Sequence, residues 1–196
     1  MLKLVILDRD GTINVDSDEF IKAPEEWQPL PGALEAIARL NHAGWHVAVA
    51  SNQSGLGRGL FDVASLNAIH AKMHKALAAV GGRIDAVFYC PHGPDERCQC
   101  RKPLPGLFEQ IGERFGVDLK ATHVVGDTPR DLQAGVAVGC QPHLVLTGKA
   151  EALRGLPLPP GYPPHTTVHQ DLAAFAEWLI ARSAAGAPTA PRPAGA

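Results

Sequence analysis

The stretch that decides the fold runs from Lys3 to Thr12 and reads KLVILDRDGT. After Lys3, its first half is a continuous apolar run that is rich in β-branched residues. A run without alternating polar positions is typical of a strand that is buried on both faces of a parallel sheet. The second half is polar and contains a glycine, which predicts a loop that begins at Asp8, directly where the strand ends.

The alternation of strand and helix continues along the chain. Further strands are predicted at residues 46–50, 84–89, 123–125 and 143–146, and helices after residue 32, after residue 62 and at residues 104–115, 131–138 and 172–182. This pattern predicts an α/β fold, a Rossmann-like three-layer sandwich with a central, mainly parallel sheet and helices on both faces. No insertion is long enough for a cap domain, so residues 1–182 are predicted to form a single capless domain. Residues 183–196, built only from Ala, Gly, Pro, Ser, Thr and Arg, are predicted to be a disordered tail.

Length and composition narrow the class of protein. The chain has 196 residues, 45% of them hydrophobic, which suffices for one domain with its own core and favours a monomer. A formal net charge of −2 does not favour nucleic acid as a partner. No apolar run reaches the roughly 18 residues of a membrane-spanning helix. Because the N-terminus also lacks a secretory pattern, we expect a cytoplasmic protein without a membrane partner.

Four polar elements are predicted to meet at one edge of the sheet. They are Asp8–Thr12, Ser51–Gln53, Arg101–Lys102 and Gly126–Asp127. Three of them directly follow a predicted strand, and in open α/β sheets ligands bind at the carboxyl ends of the strands. Such residues are also common in ordinary turns, but four elements at successive boundaries favour a functional site.

The residues of these elements suit phosphoryl transfer. Asp8 can attack phosphorus as a nucleophile, and Asp10 can protonate the leaving oxygen and later deprotonate the attacking water. Asp127 would complete a Mg²⁺ site that neutralises both the nucleophile and the phosphate oxygens. Lys102 and the hydroxyl of Ser51 are predicted to hold the remaining phosphate oxygens.

A second group of residues has the spacing of a metal site. Cys90, His92, Cys98 and Cys100 form the pattern C-x-H-x5-C-x-C, and three thiolates with one imidazole can bind Zn²⁺ tetrahedrally. A closed site of this kind is structural, because it leaves no position for water. The zinc loop at residues 90–102 ends in two cations, which an ordered loop would aim at the phosphate. The fourth cysteine, Cys140, is predicted to be a buried apolar residue.

The polar elements resemble the signature motifs of a known superfamily. Four motifs of the haloacid dehalogenase superfamily are matched, in the right order, by Asp8–Thr12 (DRDGT), Ser51, Lys102 and Gly126–Asp127. The resemblance implies that Asp8 is the covalent nucleophile and Asp10 the general acid and base. It also implies a Mg²⁺ held by Asp8, by the backbone carbonyl of Asp10 and by Asp127, whereas Asp131 supports the loop or a metal-bound water.

Within that superfamily the chain is similar to the heptose-bisphosphate and histidinol-phosphate phosphatases, which are capless and carry a zinc loop. The similarity rests on DRDGT, on SNQSGLGRG at residues 51–59 and on CRKP at residues 100–103. It implies hydrolysis of the 7-phosphate of D-glycero-D-manno-heptose-1,7-bisphosphate, with Ser51, Arg101 and Lys102 stabilising the phosphoryl group. The substrate-binding residues that it implies are Asp16, Glu19, Ser51, Asn52, Gln53, Ser54, Arg101 and Lys102.

Other functions stay open at this point. Histidinol phosphate is the nearest alternative substrate, and a polynucleotide 3′-phosphatase is a more distant one, against which the near-neutral charge counts. A non-catalytic binding module on the same fold would be expected to lack at least one of the motif residues.

Several conspicuous residues are assigned structural roles. The histidines at positions 42, 46, 70, 74, 123 and 143 are predicted to lie at the surface or at the edge of the core. Trp27 and Trp45 are predicted to pack in the core. Two hypotheses are open for Arg58: it contacts a second phosphate, or it is simply exposed to solvent.

Overall fold

The computed structural model describes residues 2–185, which fold around one sheet of six strands. The strands are β1 Lys3–Leu7, β2 Trp45–Asn52, β3 Ala86–Cys90, β4 His123–Gly126, β5 Gln141–Val145 and β6 Thr167–His169. Their order is β3-β2-β1-β4-β5-β6, and every neighbouring pair is parallel. The predicted parallel sheet is therefore confirmed. β1 lies in the middle of the sheet, and its first and last residues are the predicted ones.

Helices connect the strands. In residues 2–185 they are α1 Ala33–His42, α2 Ser54–Gly57, α3 Val63–Ala79, α4 Gly106–Phe115, α5 Pro129–Val136 and α6 Leu172–Ala184, with short 3-10 turns at Pro24–Glu26, Leu119–Ala121 and Gly148–Leu153. Two helices begin after an aspartate that caps a free backbone N–H group. Asp62 accepts from the amide of Ser65 at 2.7 Å, and Asp171 accepts from that of Ala174 at 2.8 Å.

The sheet is covered on both faces, as predicted. Along β1, Val5 and Leu7 point into an apolar layer formed with α1, α3 and α6. Leu4 and Ile6 point into a second layer formed with α4 and α5. Alternate side chains of one strand thus enter two different cores, which explains why its sequence is apolar at every position from Leu4 to Leu7.

Some predicted bounds differ from the structure. The strand β6 was not predicted, because three residues with two polar side chains carry little strand signal. β3 begins at Ala86 rather than at residue 84, and α4 begins at Gly106 rather than at residue 104. The last helix continues to Ala184, where the hydroxyl of Ser183 donates to the carbonyl of Leu179 at 2.9 Å. The rest of the predicted tail, residues 186–196, lies outside the described residues.

The prediction for the histidines was wrong at three positions. His70, His123 and His143 have exposed fractions of 8%, 1% and 1%, so they are buried rather than at the surface. The exposed His42 and His74 and the half-buried His46 agree with the prediction. The predicted burial of the two tryptophans at positions 27 and 45 and of the cysteine at position 140 is confirmed.

Adjacent histidines of β4, β5 and β6 form what we call the histidine ladder. Nδ1 of His123 lies 2.9 Å from Nε2 of His143, whose Nδ1 lies 3.0 Å from Nε2 of His169. The rings pack against Phe175 and Trp178 of α6. Burial lowers the pKa of His123 and of His169 to about 4, so the ladder is neutral at pH 7 and packs as part of the core.

No helix within residues 2–185 is both long and apolar enough to cross a membrane. Between β1 and α1, the described chain contains only the short turn at Pro24–Glu26 as regular structure. Asp8, Asn52 and Asp127, at the carboxyl ends of β1, β2 and β4, all line one cavity at this edge of the sheet.

Candidate active site

A cavity opens where β1, β2 and β4 end. The N–H of Asp8 donates to the carbonyl of Val125 at 2.9 Å, which fixes the backbone at the point where β1 stops. The cavity volume is about 280 Å³, close to the lower end of the range for small-molecule sites. Its lining includes Asp8, Asp10, Asn52, Gln53, Arg101, Lys102 and Asp127. The four elements that the sequence predicted to meet therefore do meet.

Three buried aspartates converge in this cavity, and we call Asp8, Asp127 and Asp131 the carboxylate cluster. One oxygen of each lies within 4.8 Å of the others. Burial, and then the charge of Asp131, raise the pKa of Asp8 to about 7, although Lys102 opposes the rise. Burial and the charge of Asp8 raise the pKa of Asp127 to about 9. Both shifts are caused first by burial and then by the negative charges of the neighbouring aspartates.

One cation is built into the carboxylate cluster. The buried ammonium of Lys102 lies 2.7 Å from Asp8, 2.6 Å from Asp131 and 2.7 Å from the carbonyl oxygen of Ala50. An ammonium group has three protons, so these contacts use all of its donors. When all three carboxylates are ionised they share one positive charge, and the two negative charges in excess match a divalent cation.

Backbone groups hold Asp127 closely. The N–H of Lys149 donates to Oδ2 of Asp127 at 2.7 Å. Gly11 and Gly148 have φ angles of +85° and +52°, and a β-carbon on either would collide with the Asp127 carboxylate. Oδ1 of Asp127 is buried and has no hydrogen-bond partner among residues 2–185. A buried carboxylate oxygen without a donor fits a metal ligand.

Asp10 faces the same cavity in different surroundings. Its carboxylate accepts from Nε and Nη2 of Arg9 at 2.9 and 3.1 Å, from Asn14 at 2.9 Å and from Gln53 at 3.0 Å. Burial alone would raise the pKa of Asp10, but these donors, Arg9 foremost, lower it. Its carboxylate lies outside the carboxylate cluster, so the predicted role of its backbone carbonyl as a metal ligand stays a prediction.

The end of β2 positions both polar walls of the cavity. Asn52 exchanges two hydrogen bonds with the backbone of Lys102, at 3.0 and 3.1 Å, and so ties the lysine to the sheet. The buried hydroxyl of Ser51 accepts from the amide of Gln53 at 2.7 Å. Asp131, as predicted, supports its own loop, because it accepts from both the N–H and the hydroxyl of Thr128.

The predicted substrate contacts do not all share the cavity. Asp16, Ser54 and Arg101 line it together with the residues above. Glu19 does not, and lines an adjacent depression instead. Ser51 does not line the cavity either, because it is buried behind it with an exposed fraction of 1%. Arg58 lines the cavity and is also exposed, so its position agrees with both hypotheses, contact with a second phosphate and plain solvent exposure.

The residues of the zinc pattern also converge, and we call Cys90, His92, Cys98 and Cys100 the cysteine cluster. Sγ of Cys90 lies 3.8 Å from Sγ of Cys98 and 3.4 Å from Nδ1 of His92, which is 3.4 Å from Sγ of Cys100. Zinc–sulfur bonds of about 2.3 Å at tetrahedral angles place two sulfur atoms about 3.8 Å apart, so the arrangement fits Zn²⁺. Burial raises the pKa of the Cys90 thiol to about 12, which a bound metal would counteract.

The cysteine cluster is linked directly to the cavity through Arg101. The N–H of Arg101 donates to Sγ of Cys98 at 3.4 Å, and its guanidinium donates to the carbonyl of His92 at 3.2 Å. The order of this loop therefore determines where the Arg101 side chain lies.

Comparisons with known proteins agree with this geometry. A family model described as HAD-hydrolase-like matches residues 99–175, and one described as polynucleotide kinase 3 phosphatase matches residues 3–135. The D-glycero-beta-D-manno-heptose-1,7-bisphosphate 7-phosphatase of Bordetella bronchiseptica RB50 is 58% identical over 179 residues, which cover 91% of this chain and 98% of that protein. The chain belongs to the heptose-1,7-bisphosphate 7-phosphatase family.

Further members of the heptose-1,7-bisphosphate 7-phosphatase family support the assignment. The Pseudomonas aeruginosa PAO1 enzyme of the same name is 54% identical over 90% of this chain and 97% of its own. A crystal structure of the B. bronchiseptica enzyme, complexed with magnesium and phosphate, superposes with a TM-score of 0.87 and 56% identity, covering 92% of this chain and 99% of that one. This family has the haloacid dehalogenase fold that the sequence motifs predicted.

Sequence reasoning missed three residues of this family member's site. Arg9 stands inside the recognised motif, but nothing in the sequence showed that it binds Asp10 or that His70 contacts it at 3.1 Å. Lys149 was also missed, although its ammonium pairs with Asp16 at 3.3 Å and with Asp18. The contacts of His70 and Lys149 join segments that are distant along the chain, and neither residue belongs to a recognised motif.

Proposed function

We propose that this protein is a Mg²⁺-dependent phosphatase that removes the 7-phosphate of D-glycero-β-D-manno-heptose-1,7-bisphosphate through an aspartyl-phosphate on Asp8. The observation that carries the proposal is that two neighbouring aspartates of one cavity have opposite environments. Asp8 belongs to the carboxylate cluster, whereas Asp10 is surrounded by hydrogen-bond donors. The substrate is taken from the relatives that are 58% and 54% identical over nine-tenths of the chain.

Asp8 and Asp10 divide the reaction between them. A carboxylate oxygen of Asp8 bonds to phosphorus, and the bond between phosphorus and the oxygen on C7 breaks. For an alcohol rather than an alkoxide to leave, Asp10 must first take up a proton from solvent, which the negative charge of the entering phosphate favours, and then give that proton to the leaving oxygen. Asp10, now a carboxylate, then takes a proton from water, whose oxygen displaces Asp8 from phosphorus. Inorganic phosphate departs, and the donors around Asp10 favour the carboxylate form that this second step requires.

The metal ligands in this proposal are Asp8, the backbone carbonyl of Asp10 and Asp127. Bound Mg²⁺ supplies positive charge that keeps the nucleophile ionised and stabilises the phosphate oxygens. Support comes from the two negative charges in excess and from the partnerless Oδ1 of Asp127. Lys102 contributes its fixed charge beside Asp8, and Ser51 and Arg101 complete the predicted set around the phosphoryl group.

The sugar would extend along the outer wall of the cavity. Asp16, Asn52, Gln53 and Ser54 offer carboxylate, amide and hydroxyl groups that can bind sugar hydroxyls. Glu19 lies outside this wall and is not part of the proposed contact set.

The cysteine cluster is proposed to bind one structural Zn²⁺. Three sulfur atoms and one imidazole nitrogen at tetrahedral separations support this ion over Mg²⁺, which prefers oxygen ligands. Thiolate ligands require reduced cysteines, which supports a cytoplasmic location. Metal analysis of purified protein should give about one Zn per chain. A fully stable protein without zinc would contradict this part of the proposal.

The function is tested by measuring phosphate release in the presence of Mg²⁺ from three substrates side by side. These are heptose-1,7-bisphosphate, histidinol phosphate and an oligonucleotide with a 3′-phosphate, which the polynucleotide kinase 3 phosphatase model brings into consideration. We expect kcat/KM to be highest for the bisphosphate, with heptose-1-phosphate as the organic product.

Other outcomes would redirect the proposal. A preference for histidinol phosphate would change the substrate but leave the roles of Asp8 and Asp10 in place. A preference for the oligonucleotide would contradict the small-molecule assignment. Activity in the presence of a chelator in excess over Mg²⁺ would contradict the role of the carboxylate cluster.

A further inference from the structure

We propose that Arg9 and His70 are positioning residues that orient the Asp10 carboxylate for proton transfer. This inference rests on the proposed function of Asp10 as general acid and base. Asp10 lines the cavity, whereas Arg9 and His70 do not. The two residues therefore act through Asp10 and not by touching the substrate.

Arg9 controls the plane of the Asp10 carboxylate. The Arg9 side chain has an exposed fraction of 0%, and its Nε and Nη2 donate to two different oxygens of Asp10, at 2.9 and 3.1 Å. A planar guanidinium that engages both oxygens resists rotation of the carboxylate, because rotation would break both hydrogen bonds. Asn14 and Gln53 each donate to only one oxygen, so neither can replace this control.

His70 in turn fixes the guanidinium. Nη1, the remaining terminal nitrogen of Arg9, lies 3.1 Å from Nε2 of His70 on α3. Guanidinium nitrogens only donate, so Nε2 of His70 must accept, which makes the imidazole neutral with its proton on Nδ1. Burial, and then the positive charge of Arg9, lower the pKa of His70 to about 4, in agreement with a neutral ring.

The contact matters because Arg9 is desolvated. A buried guanidinium without water needs protein acceptors for its N–H groups, and loss of one acceptor leaves a charged donor unpaired. Without His70, the guanidinium would turn to find another acceptor and would move the Asp10 carboxylate with it. His70 lies 61 residues from Arg9 along the chain, so this contact connects α3 to the site.

The test separates orientation of the acid from general damage to the site. It compares His70→Ala, His70→Gln and the control His74→Ala, which alters an exposed histidine of the same helix. Each variant is assayed with heptose-1,7-bisphosphate, whose leaving oxygen needs a proton, and with p-nitrophenyl phosphate, whose phenolate leaves without one. The value of kcat/KM is compared because it reports steps up to departure of the leaving group.

We expect kcat/KM of His70→Ala to fall about tenfold or more with the sugar phosphate and less than about threefold with the aryl phosphate. His70→Gln should return the sugar-phosphate value to within about threefold of the wild type, because its amide oxygen can accept from Nη1. His74→Ala should leave both values unchanged.

An equal loss of kcat/KM on both substrates in His70→Ala would overturn the positioning role, and so would no loss on either. In both cases the activity of the wild type would still support the proposed function. A wild type that is inactive toward both substrates would instead count against the proposed function itself. If His70→Ala fails to fold by circular dichroism, His70→Leu replaces it, since leucine fills the space of the ring without offering an acceptor.

Discussion

The carboxylate cluster and the cysteine cluster bring potential metal ligands together in two different ways. Asp8 and Asp127 stand at the ends of central strands, and the whole carboxylate cluster is buried around an internal cation, Lys102. In the cysteine cluster only Cys90 belongs to a strand, and the other three residues lie on a partly exposed loop. The sheet therefore positions the first cluster before any ion binds, whereas we expect the second to need a bound ion to hold its loop together.

This contrast predicts different responses to loss of metal. Withdrawal of Mg²⁺ should stop turnover but leave the thermal unfolding temperature nearly unchanged. Withdrawal of Zn²⁺ should lower that temperature and loosen residues 90–102, because metal binding and folding of such a loop are coupled. The following predictions test this contrast, in order of decreasing effect.

The largest effect is expected for Asp8→Asn. An amide cannot act as the nucleophile, so turnover should fall by about three orders of magnitude or more. The unfolding temperature should not fall, because the substitution removes one of three mutually repelling carboxylates. Phosphate release and circular dichroism measure the two quantities, with Asp95→Asn in the exposed part of the zinc loop as the control. Undiminished hydrolysis would eliminate Asp8 as the nucleophile.

A smaller loss is expected for Cys98→Ser. Removal of one ligand should release zinc and displace Arg101, which donates to Cys98, so activity should fall about ten- to a hundredfold. Zinc content, activity and the rate of proteolytic cleavage within residues 90–102 are measured together. Cys140→Ala is the matched control, since this buried cysteine is not one of the four residues of the cluster. A variant that keeps both its zinc and its activity would show that the loop does not depend on the metal.

A modest effect is expected for Lys149→Ala. The backbone of Lys149 holds Asp127 and is retained in the variant, whereas its ammonium, which pairs with Asp16 and Asp18, is lost. The side chain is half exposed, so the pairs are weak, and KM should rise only about two- to fivefold with kcat nearly constant. Steady-state kinetics beside Lys75→Ala, an exposed lysine of α3, would show this. A large fall in kcat instead would mean that the side chain supports the carboxylate cluster itself.

The smallest effect on activity and stability at neutral pH is expected for His123→Phe. This substitution alters the histidine ladder, a buried polar cluster that does not require a bound cation. The pKa of His123 is lowered to about 4 in the folded protein, so the unfolded chain binds more protons between that pH and its ordinary value of about 6.5. The stability that neutral His123 contributes is therefore lost as the pH falls through this window. Relative to the variant, the wild type should lose about 2 kcal/mol of unfolding free energy between pH 7 and pH 5.

Urea unfolding of both proteins at pH 7, 6 and 5 measures this difference. The comparison of two proteins cancels the titration of the carboxylate cluster, which is common to both. A stability difference that is independent of pH would show that His123 is not held in a neutral form.

The sequence predicted the fold and the position of the site best at β1. Leu4 to Leu7 are apolar at every position because the strand enters two cores, and Asp8 follows at the edge where ligands bind. The cysteine cluster was equally predictable from the sequence, because all four of its residues lie within eleven consecutive positions. In both cases the signal is local in the chain.

What the sequence did not reveal depends on contacts between distant segments. His70 reaches Arg9 across 61 residues, and His143 meets His169 across 26, so neither pair leaves a local pattern. The burial of His123 and His143 was missed for the same reason, since an isolated histidine at a strand start has no partner in view. β6 forms by pairing with β5 at the edge of the sheet, and its own three residues do not indicate this pairing.

The bond between Lys102 and Asp8 also has a consequence for protein synthesis. The two residues are 94 positions apart, so a ribosome delivers the nucleophile long before the cation that neutralises it. A product terminated before Lys102 contains the DRDGT motif but lacks Lys102, Asp127 and three of the six strands. Prematurely ended translation products are therefore expected to be inert, and they would not release phosphate from metabolites indiscriminately.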